Sequence, residues 1–195
     1  MHDLIARISF IKEVERLKNV LRSAHTSQGR QESTAEHPWR LCLMAMVFAD
    51  QMEAINVLKV LKVLKLCIIH DLGEAIHGDI PAIHQDQNLD KTKRERDDLK
   101  SLTKSLPISL REEILSLWEE YERGQTPEAK SVKALDKLET IIQHNQGANP
   151  EDFNYAFNLS YGKKHTDATA LFKKLRVLID EETKCHALKS RQLPN

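Results

Sequence analysis

The chain has 195 residues, 41% of them hydrophobic and 30% charged, which suits one soluble globular domain with a sizeable core. Its 29 lysines and arginines balance 29 aspartates and glutamates, so no overall field holds a nucleic acid polymer or an anionic membrane, and any attraction for phosphate must be local. Cys42, Cys67 and Cys185 lack the spacing of a zinc knuckle or a disulfide framework and point to the reducing cytoplasm, while neither a signal-peptide pattern nor an apolar run of about 20 residues points to export or a membrane span.

Glycine and proline are sparse, with six of each, and apolar residues recur at three- and four-residue intervals, so the expected fold is all-α. Leu4, Ile8, Ile11, Val14, Leu17 and Leu21 predict an opening amphipathic helix. A polar segment, Arg22 to Ser33, follows without a helical stripe and can reach over a pocket. Thr34 is the candidate N-cap of a helix through Met52, with Pro38 in its first turn and Leu41, Met44, Ala45 and Phe48 inward. The next helix repeats Val-Leu-Lys three times over 57–65 and runs on through Leu66 to Asp71. Being apolar round most of its circumference, it belongs at the centre of a bundle. Gly73, Gly78 and Asp79-Ile80-Pro81 reduce 74–79 to a turn or stub. His84 to Lys104 turns helical towards its end. Leu110 to Tyr121 and Pro127 to Gln146 read as amphipathic helices, the latter with Ala134, Leu135, Leu138, Ile141 and Ile142 on one side. Phe153 to Tyr161 and Thr166 to Leu188 close the chain as two further helices.

The chemistry gathers where ligand-type residues break apolar runs. His70-Asp71 follows Leu66-Cys67-Ile68-Ile69, His37 opens a second apolar stretch, and Asp136 interrupts Val132 to Leu138. Together His37, His70, Asp71 and Asp136 offer two imidazoles and two carboxylates from three segments. That mixed set suits Mn, Co, Ni, Fe or Zn, argues against calcium and makes magnesium the weaker choice. Glu74 falls one helical turn after His70 and Asp71, placed to orient or deprotonate a water if the helix continues. An isolated His-Asp pair would more simply be a hydrogen-bonded helix end, so each ligand depends on the set. His77, His84 and His144 read as ordinary polar or satisfied histidines, and Trp118 and Tyr121 as core or subunit interface.

The order His37, His70-Asp71, Asp136 resembles the H…HD…D pattern of the HD-domain metal-dependent phosphohydrolases. His70 to Pro81 resembles the HDxxExxxGDxP stretch of the bacterial 5'-deoxynucleotidases and the related HD domain-containing protein 2 branch. Arg22 stands where that family carries a phosphate-orienting arginine, with Arg30 a nearby competitor. The resemblance covers about residues 4 to 145. It implies an HD-domain-type helical bundle: one domain over 1–195, its core at about 4–145 and C-terminal helices at about 150–190. It further implies one divalent metal on His37, His70, Asp71 and Asp136, phosphate contact by Arg22, water activation by Glu74, and sugar or leaving-group contact by Asp79. The activity implied is that of a cytoplasmic 5'-nucleotidase releasing phosphate from (deoxy)nucleoside 5'-monophosphates, with homodimers the expected assembly. Hydrolysis of a cyclic nucleotide or a triphosphate is the nearest alternative, and a nucleotide-binding module without turnover the next. Ser23 after Arg22, where the bacterial enzymes have tryptophan, and Ala82, where they have threonine, depart from the pattern and bear on sugar preference.

Overall fold

The computed structural model describes residues 1–52, 57–80 and 89–193, so that Pro81, Ala82 and His84, singled out above, lie outside the described residues. In chain order come α1 (His2–Glu13), a 3-10 turn (Val14–Lys18), antiparallel strands β1 (Leu21–His25) and β2 (Gln31–Ser33), and α2 (Glu36–Val47). A second 3-10 turn (Ala49–Gln51), α3 (Val57–Ile69), a third 3-10 turn (Leu72–Ala75), α4 (Leu89–Leu102) and α5 (Ile108–Arg123) follow. The chain closes with α6 (Pro127–Gln146), the single turns α7 (Tyr155–Asn158) and α8 (Lys163–Thr166), and α9 (Ala170–Lys189). The architecture is the expected helical bundle with one small hairpin added.

α6 is the central element, packed against α2, α3, α5 and α9. Its start is set by local chemistry: Thr126 accepts from the Ala129 amide at 3.2 Å, and Pro127 occupies the first helical position. The main core joins Leu41 and Ala45 of α2, Val63, Leu66 and Cys67 of α3, Leu135 and Leu138 of α6, and Phe172 of α9, all buried. The lysines that recur along α3 turn away from this core. Lys59, Lys62 and Lys65 reach Glu128 (3.8 Å), Glu120 (2.8 Å) and Glu113 (2.5 Å), half-exposed pairs worth about 0–1 kcal/mol each. They steer the helix more than they hold it.

A smaller cluster of Leu17, Ile69, Leu72, Ala75, Leu99, Leu102 and Trp118 seats the Leu72–Ala75 turn on α4. Gly73 permits this contact: a Cβ there would lie 2.8 Å from the carbonyl oxygen of Glu95 and 2.9 Å from its Cβ.

Four elements depart from the sequence expectation. Arg22 to Ser33 forms the hairpin and not an irregular cover. Thr26 and Arg30 close its turn (N–H to O, 2.7 Å) and Gly29 supplies φ +82°. Arg22 and Ala24 point inward and Leu21 and Ser23 outward, the two-residue alternation of a strand, hidden in a segment too short to display it. α1 buries none of its residues. Leu4, Ile5, Ile8 and Ile11 are exposed, and of the predicted inward stripe only Leu17 is buried. α2 begins after Ala35 without a side-chain cap, Thr34 being buried in place of capping, and it ends at Val47. The helix expected over Phe153 to Tyr161 shrinks to one turn, in which Asn154 accepts from the Phe157 amide at 3.0 Å.

If the close approach of α4 to the Leu72–Ala75 turn is as tight as Gly73 requires, Gly73→Ala should cost about 1–3 kcal/mol of stability by overpacking. Urea unfolding followed by circular dichroism measures this, and an unchanged midpoint would contradict the packing.

Candidate metal centre

Three helices deliver the central side chains: His37 in the first turn of α2, His70 immediately after α3, and Asp136 midway along α6. All three are buried, and their ligand atoms lie within 4.8 Å of one another. The two imidazole rings meet edge-on with centroids 5.4 Å apart.

Each imidazole has one nitrogen committed to the protein and the other turned inward. His37 Nδ1 is hydrogen-bonded to Glu139, while its Nε2 lies 3.2 Å from Asp136 Oδ1. His70 Nδ1 donates to the Cys67 carbonyl at 2.8 Å, an acceptor left free by the end of α3, and its Nε2 has no hydrogen-bond partner among the described residues. Asp71 flanks the trio, with Oδ1 3.1 Å from His70 Nε2 and Oδ2 4.0 Å from His37 Nε2. That Oδ2 is likewise buried without a hydrogen bond, 3.5 Å from Arg22 Nη1.

Asp136 is oriented by two donors on one oxygen: Tyr121 Oη at 2.8 Å and Lys137 Nζ at 2.9 Å both meet Oδ2, which leaves Oδ1 facing the histidines. The Lys137 stem is held against Gly162, where a Cβ would lie 2.6 Å from Lys137 Cγ. This donor set fits a divalent ion. Metal–ligand bonds of about 2.0–2.2 Å need nitrogen and oxygen atoms clustered on this scale, and His70 Nε2, without a hydrogen bond among the described residues, is costly to bury unless a cation meets it. The second nitrogen of each imidazole is tied down as such ligands require.

The electrostatics agree. Burial and Arg22 work against a charge on His37, but Glu139 and Asp136 outweigh them and push it up to about 9. Carboxylates crowded enough to favour a proton there also favour a cation. Burial acts to raise Asp136 and Asp71 as well, yet Lys137 and His37 hold the first, and His70, His37 and Arg22 the second, below the ordinary carboxylate range.

Arg22 projects inward from β1. Its Nε lies 3.2 Å from Glu32, and its Nη2 donates to Thr140 Oγ1 at 3.2 Å. Despite burial, Asp71, Asp79 and Glu32 keep it firmly charged. Arg30 plays no part here: it is exposed and paired with Glu36 at 2.7 Å, which fastens the hairpin to the start of α2. Glu74 and Asp79 line the same cavity of about 770 Å³ as Arg22, His70, Asp71 and Asp136. Burial, with Asp71 and Asp79 beside it, pushes Glu74 up to about 10, and burial also raises Asp79 against the pull of Arg22. Lys91 of α4 stands 3.9 Å from Glu74 and 3.1 Å from Glu95.

His77 lies apart from the centre, paired with Asp98 at 2.6 Å. His144 is buried, donates from Nδ1 to Asn158 Oδ1 at 3.1 Å, and is pushed down to about 4 by burial. Sequence reasoning passed over Glu139, Thr140, Lys137 and the role of Tyr121. Glu139 and Thr140 carried a signal, standing three and four residues after Asp136 and therefore on its face of α6. The Tyr121 hydroxyl carried none.

A helical bundle that brings one histidine, a His-Asp pair and a distant aspartate to a single buried point is the arrangement of the HD domain. The chain belongs to that family, whose model matches residues 14–176. Among curated relatives, the 5'-deoxynucleotidase HDDC2 of Danio rerio is 41% identical over 138 residues, 70% of this chain and 66% of that protein. The chain thus spans about two thirds of that relative's length. The 5'-deoxynucleotidase HDDC2 of Dictyostelium discoideum is 30% identical over 190 residues, 91% of this chain and 98% of that protein. A solved structure described as a predicted metal-dependent phosphohydrolase from Magnetospirillum magnetotacticum MS-1 superposes with a TM-score of 0.78 at 26% identity, covering 100% of each chain.

Two outcomes follow from the geometry. Glu139→Gln, which weakens the anchor of His37, should lower the affinity for a divalent ion by about 10–100-fold, as read by chelator competition with elemental analysis. Parental affinity would show that His37 is oriented by something else. His144, neutral when folded, binds its proton only in the unfolded chain between its usual pKa of about 6.5 and the folded value of about 4. Stability is therefore full above that window and falls as the pH drops through it, by up to about 1.4 kcal/mol per pH unit for this one group. Urea midpoints of metal-free parent and His144→Gln across pH 4–7 should differ in slope, and parallel curves would refute the assignment.

Proposed function

We propose that the protein is a metal-dependent 5'-nucleotidase that hydrolyses (deoxy)nucleoside 5'-monophosphates to the nucleoside and inorganic phosphate. The observation that carries this reading is a buried His37, His70 and Asp136 cluster within 4.8 Å, placed beside the largely covered Arg22 in a cavity of nucleotide size. The names of the relatives, and the likeness of His70 to Asp79 to the bacterial 5'-deoxynucleotidase stretch, support it.

In this reading one divalent ion, of the Mn, Co, Ni, Fe or Zn type with magnesium less suited, is held by His37, His70, Asp71 and Asp136. When bound, such an ion supplies Lewis-acid charge to the phosphoryl oxygens. Arg22 adds a permanent cation with a planar fork of donors that matches phosphate. Hydrolysis joins a water oxygen to phosphorus, breaks the bond to the 5'-oxygen and places a proton on that leaving oxygen. Glu74 and Asp79 do the proton work. Both are pushed up in the cavity, so as a pair they hold a proton at neutral pH, and the ionised member accepts from the water while the other donates to the 5'-oxygen. Asp79 also meets the sugar.

The same reading takes the whole chain as one HD-type unit, its core at about residues 4–145 and its C-terminal helices at about 150–190 completing the cavity. It takes the protein as a cytoplasmic homodimer. Free Cys42, Cys67 and Cys185 support the first point, and the apolar surface exposed by Leu4, Ile8 and Ile11 of α1 and by Trp39, Met46 and Val47 of α2 supports the second.

A phosphate-release screen of ribo- and deoxyribonucleoside monophosphates, cyclic nucleotides and triphosphates, each with Mn, Co, Ni, Zn or Mg, tests the assignment. Turnover should be confined to the 5'-monophosphates, and Glu74→Gln should lower kcat by about 10²–10⁴-fold with metal content retained. Preference for cyclic nucleotides or triphosphates, or full activity of Glu74→Gln, would overturn it.

A further inference from the structure

The cavity continues past the histidine and carboxylate cluster, and α6 gives its direction. Asp136, Thr140 and His144 follow one another at four-residue steps on one side of the helix, so His144 stands about 12 Å from Asp136 along the axis. Thr140, halfway between, accepts from Arg22. The next side chain in the row, His144, donates to Asn158 Oδ1 at 3.1 Å. That bond occupies the amide's acceptor and leaves its donor over: Asn158 Nδ2 is buried without a hydrogen-bond partner among the described residues, in a residue 1% exposed that lines the cavity. A buried unpaired donor costs about 1–3 kcal/mol, so one retained beside a cavity marks a place for an acceptor.

Next to it stands an aromatic surface. Phe157 and Tyr161 stack with centroids 5.6 Å apart and an interplanar angle of 30°, and both are half-buried residues of the cavity wall. The wall is rigidly built. Arg176 of α9 donates to the Asn158 carbonyl at 2.5 Å, to the Tyr161 carbonyl at 2.6 Å and to Asp180 at 2.7 Å, and is itself buried. Aromatic faces beside an unfilled donor suit an aromatic heterocycle that carries an acceptor, and Lys137 Nζ, 5.1 Å from the Tyr161 ring centroid, bounds the surface on the side of Asp136.

We infer that this wall is the nucleobase subsite, and that Asn158 is a specificity-determining residue donating through Nδ2 to a ring nitrogen or carbonyl oxygen of the base. The inference rests on the nucleotidase reading of the same cavity. It orders the substrate along α6, with the phosphate between Asp136 and Arg22, the sugar beyond Thr140, and the base at His144 and Asn158. That sequence matches the span of an extended nucleoside monophosphate. Because burial keeps His144 neutral, its bond to Asn158 and the direction of the free amide donor persist across the neutral pH range.

The metal-loaded protein and its Asn158→Ala and Asn158→Asp variants are compared on nucleoside 5'-monophosphates and on deoxyribose 5-phosphate, which keeps the sugar and phosphate and has no base. Loss of one hydrogen bond to the base should lower kcat/KM on the nucleotides about tenfold, through KM, and leave deoxyribose 5-phosphate within about twofold of the parent. Asn158→Asp, which replaces the donor by an acceptor, should reorder the bases. Should either variant fail to fold, Phe157→Leu removes one aromatic face and should raise KM for the nucleotides alone. Equal losses on both kinds of substrate, or no loss and no reordering, overturn the inference. Calorimetric titration with phosphate-free deoxynucleosides reads the subsite without turnover: binding that Asn158→Ala weakens about tenfold supports it, and a parent that binds none overturns it. Nucleoside binding without phosphate release would sink the nucleotidase reading alone.

Discussion

Burying two imidazoles in a helical core is the constraint on which the rest of this molecule depends. A buried imidazole has two polar edges: His37 has Glu139 behind it and Asp136 in front, and His70 has the Cys67 carbonyl behind it and, among the described residues, no hydrogen-bond partner in front. The front edges converge with Asp136. Such convergence is possible because the residues that pack the core share their helices with the site: Leu41 and Ala45 with His37, Leu66 and Cys67 with His70, Leu135 and Leu138 with Asp136. Core and centre are one piece of packing. The interior transmits a displaced side chain instead of absorbing it, so the ligand distances inherit the precision of the apolar contacts.

Charge is organised on the same local scale. The chain as a whole carries no net charge, but around the cavity three carboxylates each stand beside a cation: Asp136 by Lys137, Asp71 by Arg22, and Glu74 by Lys91. Asp71 and Asp136 lie beside the inward nitrogens of the histidines and are held ionised, whereas Glu74 and Asp79 are pushed towards the acid form. One cavity thus separates carboxylates suited to a cation from carboxylates suited to carrying a proton, and in the proposed reaction these are two different tasks.

The cluster of His37, His70 and Asp136 was legible in the sequence where ligand-type residues interrupt apolar runs in one set, because a core has little use for that set together. The start of α6 was legible at Pro127, whereas Thr34, read as the cap of α2, is buried and caps nothing. The hairpin was not legible, since five- and three-residue strands give periodicity no room and their pairing depends on the turn at Gly29. The outward stripe of α1 shows a different limit: spacing tells that a helix has an apolar side, and only tertiary contacts tell what that side meets. Asn158 was beyond reach for a third reason. Its significance comes from an unfilled hydrogen bond created by His144, fourteen residues away in sequence.

The strand that escaped the sequence explains how Arg22 is held in place. An arginine at a helix end would swing on a long stem, but Arg22 is flanked by Glu32 of the paired strand and Thr140 of α6. The hairpin is tied to that helix again where Gln143 donates to the His25 carbonyl at 2.7 Å. Arg22, Asp136 and the His144–Asn158 pair therefore all take their positions from α6, whereas Glu74 takes its position from the turn that Gly73 presses onto α4. In the proposed reaction the substrate would be gripped along one helix and handed its protons from the opposing element. Small movements of α4 against α6 would then alter proton transfer while leaving phosphate and base in register.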